Sequence, residues 1–434
     1  MGSVAQGEPA PAAGPAAARV KRLQAVGVLS GVAAGAWLGA AEAPTKVVTL
    51  GLSPLAISLV MVLGVFLARW SLPALIRGTA NVGADLRRTP HLVVWALMAG
   101  CLWAVANTLT VFAIRDVGLS IAFPLWNANS LLGILWGALL FNELSGAGPS
   151  RWLGVLGGAA AMFAGAVLLA LVSPTQATAQ HAWHGVAAAL GAGVLWGTMY
   201  IPYRKAYLTG MNPLSFVTFF TVGELGMMSA LAFAYLGGPS GTLAELARAR
   251  GALLWLLLGG FVWVVGDLFQ QYAAKYVGIG RGIPLSNTNQ IWGLLWGMLV
   301  FGELSGSGRG VVLRVVGGSL IMALGAGAIA LSTASTREHG RWQDAARREA
   351  ERYGVDPRYV SARLLGHDPE PPRGRTLWDW LIVAAATAVF VAVAALAEAP
   401  QLPIAYAWAG ALTLAMLGLL AGSGLALWRV TRFG

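Results

Sequence analysis

Residues 118–146, GLSIAFPLWNANSLLGILWGALLFNELSG, and residues 278–306, GIGRGIPLSNTNQIWGLLWGMLVFGELSG, are two versions of one segment. At a fixed offset of 160 residues, 15 of 29 positions are identical, among them Pro124/Pro284, Asn127/Asn287, Asn129/Asn289, Trp136/Trp296, Gly137/Gly297 and Glu143/Glu303. Both copies lie in apolar stretches, so the chain reads as a duplicated membrane bundle. Asparagines and a proline at matched depth in a duplicated bundle are a common way to build the central site of a secondary transporter. Transport of a small molecule is the expectation the repeat sets.

Hydrophobic residues make up 57% of the chain and charged residues 11%. A water-soluble domain cannot hide that much apolar surface, whereas a lipid bilayer requires it. Cys101 is the single cysteine, which excludes a disulfide framework and a thiolate metal site. The net charge of +11 is confined to inter-span segments and one polar stretch, a membrane-topology pattern rather than a nucleic-acid footprint. The Ala/Pro/Gly-rich residues 1–20 read as a disordered tail without a signal peptide.

Apolar runs of roughly 20 residues, enough to span a bilayer, fall at 23–41, 47–68, 91–113, 118–141 and 152–172. A second set falls at 184–202, 213–236, 252–274, 278–301 and 311–331, and two more follow at 377–398 and 403–428. The chain thus divides into a first five-helix repeat (21–175), a second one (184–335), a charged linker (336–376) and an extra hairpin (377–430). The expected fold is an all-α integral membrane protein, a ten-helix inverted 5+5 repeat bundle with an appended two-helix hairpin. Five is odd, so the second repeat enters the membrane upside down. Gly35, Gly39, Pro44 and Lys46 match Gly193, Gly197, Pro202 and Arg204 at an offset of 158.

With the N-terminus inside, 23 of the 29 Lys and Arg residues fall on the cytoplasmic side, Arg69, Arg204, Lys275, Arg281 and nine arginines of 337–375 among them. Lys46, Arg115, Arg248, Arg250, Arg309 and Arg314 are left outside. This places both termini in the cytoplasm and the protein in the inner membrane of a cell.

The segments PLSNTNQIWGLLWGMLVFGEL (284–304) and WGTMYIPYRKAYLTGMNPLSF (196–216), set on the repeat, resemble the drug/metabolite transporter superfamily. Within it they are most similar to the glucose/ribose porter family and the rhamnose–proton symporters. The resemblance covers about 20–335 and implies ten helices in two inverted repeats, sugar uptake and proton coupling. Residues 337–434 depart from that pattern, since the family ends after ten helices; the tail is free to regulate, anchor or pair the core as a homodimer.

Asp267 and Glu224 sit mid-span, where an ionised carboxylate is costly and usually functional. They are the candidate coupling residues: a proton taken up there would track conformation. Lys275 is the alternative partner for Asp267. Asn107, the repeat mate of Asp267, with Asn127, Asn129, Gln270, Asn287, Asn289 and Gln290, offers donors and acceptors to a hydroxyl-rich ligand. Paired asparagines two apart point roughly 200° apart on a helix, so one of each pair faces a cavity; the alternative is that they tie neighbouring helices together. Trp103, Trp196, Tyr200 and Trp263 are the candidate sugar platforms. Glu143 and Glu303 read as turn or cap residues, Glu42 as solvated, and Arg115 and Lys275 as interface anchors. The arginine-rich 337–375 reads either as an amphipathic helix on the inner leaflet or as a solvated linker.

No catalytic pattern, metal-ligand spacing or P-loop is visible, so neither an enzyme nor a cofactor is expected. Rival readings are an exporter or exchanger of amino acids, drugs or nucleotide-sugars, or a non-transporting membrane scaffold. Nucleotide-sugars would want basic residues in the cavity, and the spans read as offering almost none. The topology is checked by reporter fusions at Arg432: a green fluorescent protein fusion should fluoresce, and an alkaline phosphatase fusion should be inactive.

Overall fold

The computed structural model describes residues 15–41, 43–44, 52–117, 125–127, 129–170, 182–302, 308–332, 336–367, 374–398 and 404–433. Helices account for almost all of it, and no strand occurs among the described residues. Among the described residues, ten helices are long and apolar enough to cross a membrane. They are α1 (Pro15–Ala40), α2 (Pro54–Ile76), α4 (His91–Val117), α6 (Pro149–Ala170), α7 (Ala182–Leu208), α8 (Pro213–Tyr235), α10 (Leu253–Val277), α13 (Arg309–Leu331), α16 (Leu377–Ala394) and α17 (Tyr406–Thr431). Shorter helices are α3 (Thr79–Arg88), α5 (Asn129–Phe141), α9 (Gly238–Arg248), α11 (Ile279–Ser286), α12 (Asn289–Leu295), α14 (Thr336–Tyr353) and α15 (Pro357–Leu364).

Helix starts follow local chemistry. Asn212 accepts the Leu214 amide at 2.9 Å ahead of Pro213, and Pro54 opens α2; proline tolerates the first turn because its missing donor is unneeded there. Thr376 and Asp379 close a reciprocal capping box on α16.

Two expected spans are not continuous helices. The ninth divides into α11 and α12 at Asn287–Thr288 and ends in a π-helical turn, Trp296–Val300. Pro284 sits inside α11 and cannot donate to the carbonyl one turn back, which loosens the ladder at the break. The fourth is described from α5, only 13 residues long, and Pro124 with 118–124 lies outside the described residues. Glu42, Lys46 and Glu303 lie outside them as well.

The helices sort into two groups that each draw on both halves of the sequence. In one, α1 packs on α10, α11 and α12, and α2 on α10; in the other, α7 packs on α4 and α5, and α8 on α4. Contacts of α2 with α8 and of α5 with α11 join the groups. Beside them α6 pairs with α13, α16 lies on α2, and α17 on α1.

The close approaches recur at the sequence offset. A β-carbon on Gly100 would overlap the Phe220 carbonyl, and one on Gly260 the Met61 carbonyl. Gly158 and Gly325 meet so closely that a β-carbon on either would stand 2.6 Å from the other's carbonyl oxygen. Gly39 packs on Asn289 and Trp292, while Gly197 packs on Asn129 and Leu132. Each contact in the first set has its counterpart near 160 residues away.

The first helix of the charged linker, α14, docks on the bundle. Trp342, Ala346 and Ala350, spaced four apart on α14, are buried in the same apolar cluster as Trp103, Tyr203 and Tyr207. That stripe explains the docking: one apolar face meets the bundle, leaving Arg341, Arg347 and Arg348 exposed.

The glycine contacts make a direct prediction. Gly100→Ala forces the α4–α8 backbones apart and should cost about 1–3 kcal/mol, lowering the melting temperature of detergent-solubilised protein. Gly157→Ala, with nothing within 4 Å of the new carbon, should be neutral or slightly stabilising.

Candidate functional site

Near the middle of the two groups, three helices bring three ionisable side chains together. Arg69 on α2 places Nη1 2.7 Å from Glu224 Oε2 on α8, and Nη2 2.7 Å from Asp267 Oδ2 on α10. All three side chains are fully buried. Arg69 stacks with its Cζ 4.1 Å from the Phe220 ring centroid and 5.3 Å from that of Trp263. A guanidinium on aromatic faces loses less on desolvation, because the rings' quadrupoles attract it. Gln271 Nε2 donates to Asp267 Oδ1 at 2.9 Å and accepts from Tyr207.

Charge counting decides what this centre can do. One cation faces two carboxylates, so the fully ionised set carries a net −1 in an apolar interior. A single proton would balance it. Removing a partner from a buried ion pair costs about 3–5 kcal/mol, so the arginine is committed to these acids.

The bridge is also directional. Arg69 and Asp267 belong to the α1–α2–α10–α11 group, whereas Glu224 belongs to the α4–α5–α7–α8 group. The Arg69–Glu224 contact therefore crosses between groups, and the Arg69–Asp267 contact does not.

The structure gathers several expected residues here. Trp103 meets Trp263 edge-on at 5.0 Å, and Tyr200 meets Tyr203 edge-on at 5.8 Å. Trp196 packs against the same apolar cluster and also on Trp126, and Asn107 is half-buried with its Nδ2 lacking a partner among the described residues. Lys275, a suggested partner of Asp267, is replaced in that role by Arg69.

The amides form a second centre where α5 meets α11 and α12. Asn287 Nδ2 donates to Asn129 Oδ1 at 3.0 Å and to Ser130 Oγ at 2.5 Å, tying the two groups together. A cleft with about 10 Å³ of free volume is lined by Asn127, Ser130, Asn287 and Gln290, with Met162 and Met322 also in its wall. That is room for roughly one water, so in this conformation a sugar does not fit. Gln270 Nε2 donates to Ser286 Oγ at 2.6 Å, and Asn289 Oδ1 is buried without a partner among the described residues.

A third cluster lies at the end of the bundle where the linker docks. Glu143 sits 2.8 Å from Arg204 Nε and accepts the amides of Ile279 and Gly280 at 3.1 and 2.9 Å. It does act as a cap, but on α11, across the groups, rather than on its own turn.

Arg69 and Arg204 are residues that reading by apolar runs misplaces, since a charge ends such a run. The second span stops at 68 by that criterion, yet α2 continues to Ile76. The signal lay in the apolar WSLPALI between Arg69 and Arg77. The spans thus do carry buried basic residues, which corrects the expectation that they offer almost none; each, however, already faces a carboxylate.

No family model matches the chain. It is similar to a Listeria innocua protein provisionally named for sugar uptake, 25% identical over 237 residues, covering 52% of this chain and 77% of the relative. The glucose uptake protein GlcU of Staphylococcus xylosus is 24% identical over 238 residues, covering 52% of this chain and 76% of that protein. The chain is a multi-pass membrane protein resembling these sugar-uptake proteins.

Arg69→Met should strand two carboxylates and lower unfolding stability by about 3–5 kcal/mol, read as a drop in the tryptophan-fluorescence melting temperature. Adding Glu224→Gln and Asp267→Asn should recover most of that loss.

Proposed function

We propose that the chain is a transporter that takes up a sugar across the inner membrane by alternating access, coupled to protons. The observation that carries the reading is the buried Arg69 shared by Glu224 and Asp267 at the junction of the two helix groups. Its similarity to proteins named for sugar uptake supplies the substrate class. The two groups, related by an inverted repeat, rock about the contacts that cross between them.

The proton enters this scheme by charge balance. With Glu224 protonated, Arg69 keeps Asp267 and its own group, and the bridge to the other group weakens. Deprotonation restores the bridge and pulls the groups together. Asp267 anchors the guanidinium in both states, so both acids are needed for coupling. In an opened conformation, the amides at Asn107, Asn127, Asn129, Gln270, Asn287, Asn289 and Gln290 meet hydroxyls, and Trp103, Trp196, Tyr200 and Trp263 offer ring faces to the C–H face of a pyranose. No chemical conversion or cofactor enters the scheme, and both termini face the cytoplasm.

An exporter or exchanger on the same frame is the second reading. Phosphorylated cargo such as a nucleotide-sugar is disfavoured, because the buried arginines are already engaged by acids. A scaffold, by contrast, would leave Asp267 dispensable.

Radiolabelled uptake into proteoliposomes, with and without an imposed pH gradient, tests the reading over a panel of sugars. One sugar should accumulate on the gradient. Asp267→Asn and Glu224→Gln should each abolish accumulation, a loss of at least tenfold on the scale set by about 1.4 kcal/mol per decade. Unchanged proton-dependent uptake in Asp267→Asn would falsify the coupling role. Folded protein that accumulates no sugar removes the substrate assignment.

A further inference from the structure

The tail beyond residue 335 supplies contacts that tie the two helix groups together at one end. Glu338 holds Arg281 by two bonds, Nη1 to Oε1 at 2.7 Å and Nη2 to Oε2 at 3.0 Å. Its Oε1 also accepts the Leu144 amide at 2.7 Å. Arg281 lies on α11 in one group; Leu144 follows α5 in the other. Glu338 is fully buried, so this is an interior clamp rather than a surface ion pair.

The next turn of α14 extends it. Arg204 on α7 sits with Cζ 4.3 Å from the Trp342 ring centroid, and Lys205 pairs with Glu349 at 3.2 Å. Across the same end, the Phe433 carbonyl accepts from Asn212 Nδ2 at 2.7 Å and from Arg77 Nη1 and Tyr272 OH, each at 3.2 Å. Arg77 and Tyr272 belong with α2 and α10 in one group, while Asn212 caps α8 in the other. The tail therefore bridges the groups twice, once through Glu338 and once through the Phe433 carbonyl.

We propose that α14 and the Phe433 end of the tail form an autoinhibitory latch: they hold the linker end of the two groups closed, and this end opens only when α14 lifts away. The inference rests on the alternating-access reading, in which the groups must part at this end once per cycle. Glu338 and Trp342 are the positioning residues of the latch. Neither touches the Arg69 centre, so loosening them changes the balance of conformations rather than the coupling chemistry.

The test uses the full chain in lipid nanodiscs, where both faces are accessible. Cys101→Ser removes the native thiol, and Ala274→Cys places a reporter at a fully buried position whose carbonyl accepts from Arg204 Nη1 at 3.3 Å. Labelling with a membrane-impermeant maleimide reads opening without any substrate. Glu338→Ala should raise the labelling rate several-fold, and Trp342→Ala, which strands no charge and guards against a misfolded first variant, should raise it as well. Wild-type labelling rates in both monodisperse variants would overturn the latch. Faster labelling in a protein that moves no sugar leaves the latch standing and removes only the sugar assignment.

Discussion

An arginine that cannot be left alone organises this molecule. A charge in an apolar interior is tolerated only with a partner in good geometry, and Arg69 has two, drawn from helices on either side of a seam. Meeting both at 2.7 Å fixes how α2, α8 and α10 approach one another. The glycines at 64, 100, 223 and 260 then become necessities, because the backbones they face would collide with any side chain. The aromatic shell of Phe220 and Trp263 completes the accommodation by covering the guanidinium faces.

Three further buried pairs obey a different rule. Glu143 with Arg204, Glu338 with Arg281, and Asp85 with Arg363 at 3.4 Å are matched one to one. Balanced pairs need nothing further and serve as joints. The central set is unbalanced by one carboxylate, so a single proton would neutralise it. Stoichiometry of charge thus separates the central set from these three paired joints, although all of them are buried.

Much of the architecture was legible in the sequence, because duplication and apolar length are long-range signals that local exceptions cannot erase. The repeat at offset 160 reappears as matched glycine contacts, and Asp267 and Glu224 stood out as acids where acids are expensive. What the sequence concealed was partnership. Arg69 looked like a loop cation because it ended an apolar run, and its companions lie 155 and 198 residues away. The broken ninth span was hinted at by Pro284, but the division at Asn287–Thr288 depends on how α1 packs against it through Gly35 and Gly39. The linker's docking was concealed by composition: its arginines dominate the sequence, whereas three small or aromatic positions four apart decide its contacts.

The exchange of helices between halves has a consequence for how the protein is made. Helix α2 is synthesised long before α10, yet its arginine finds its second carboxylate only on that later helix. The first five spans therefore cannot finish as a unit. They must wait in or beside the bilayer with a charge unmet and glycine faces unfilled until the second half arrives. Biogenesis of such a chain is a problem of timing, in which an insertion factor able to shelter a half-built bundle matters as much as the code for each span.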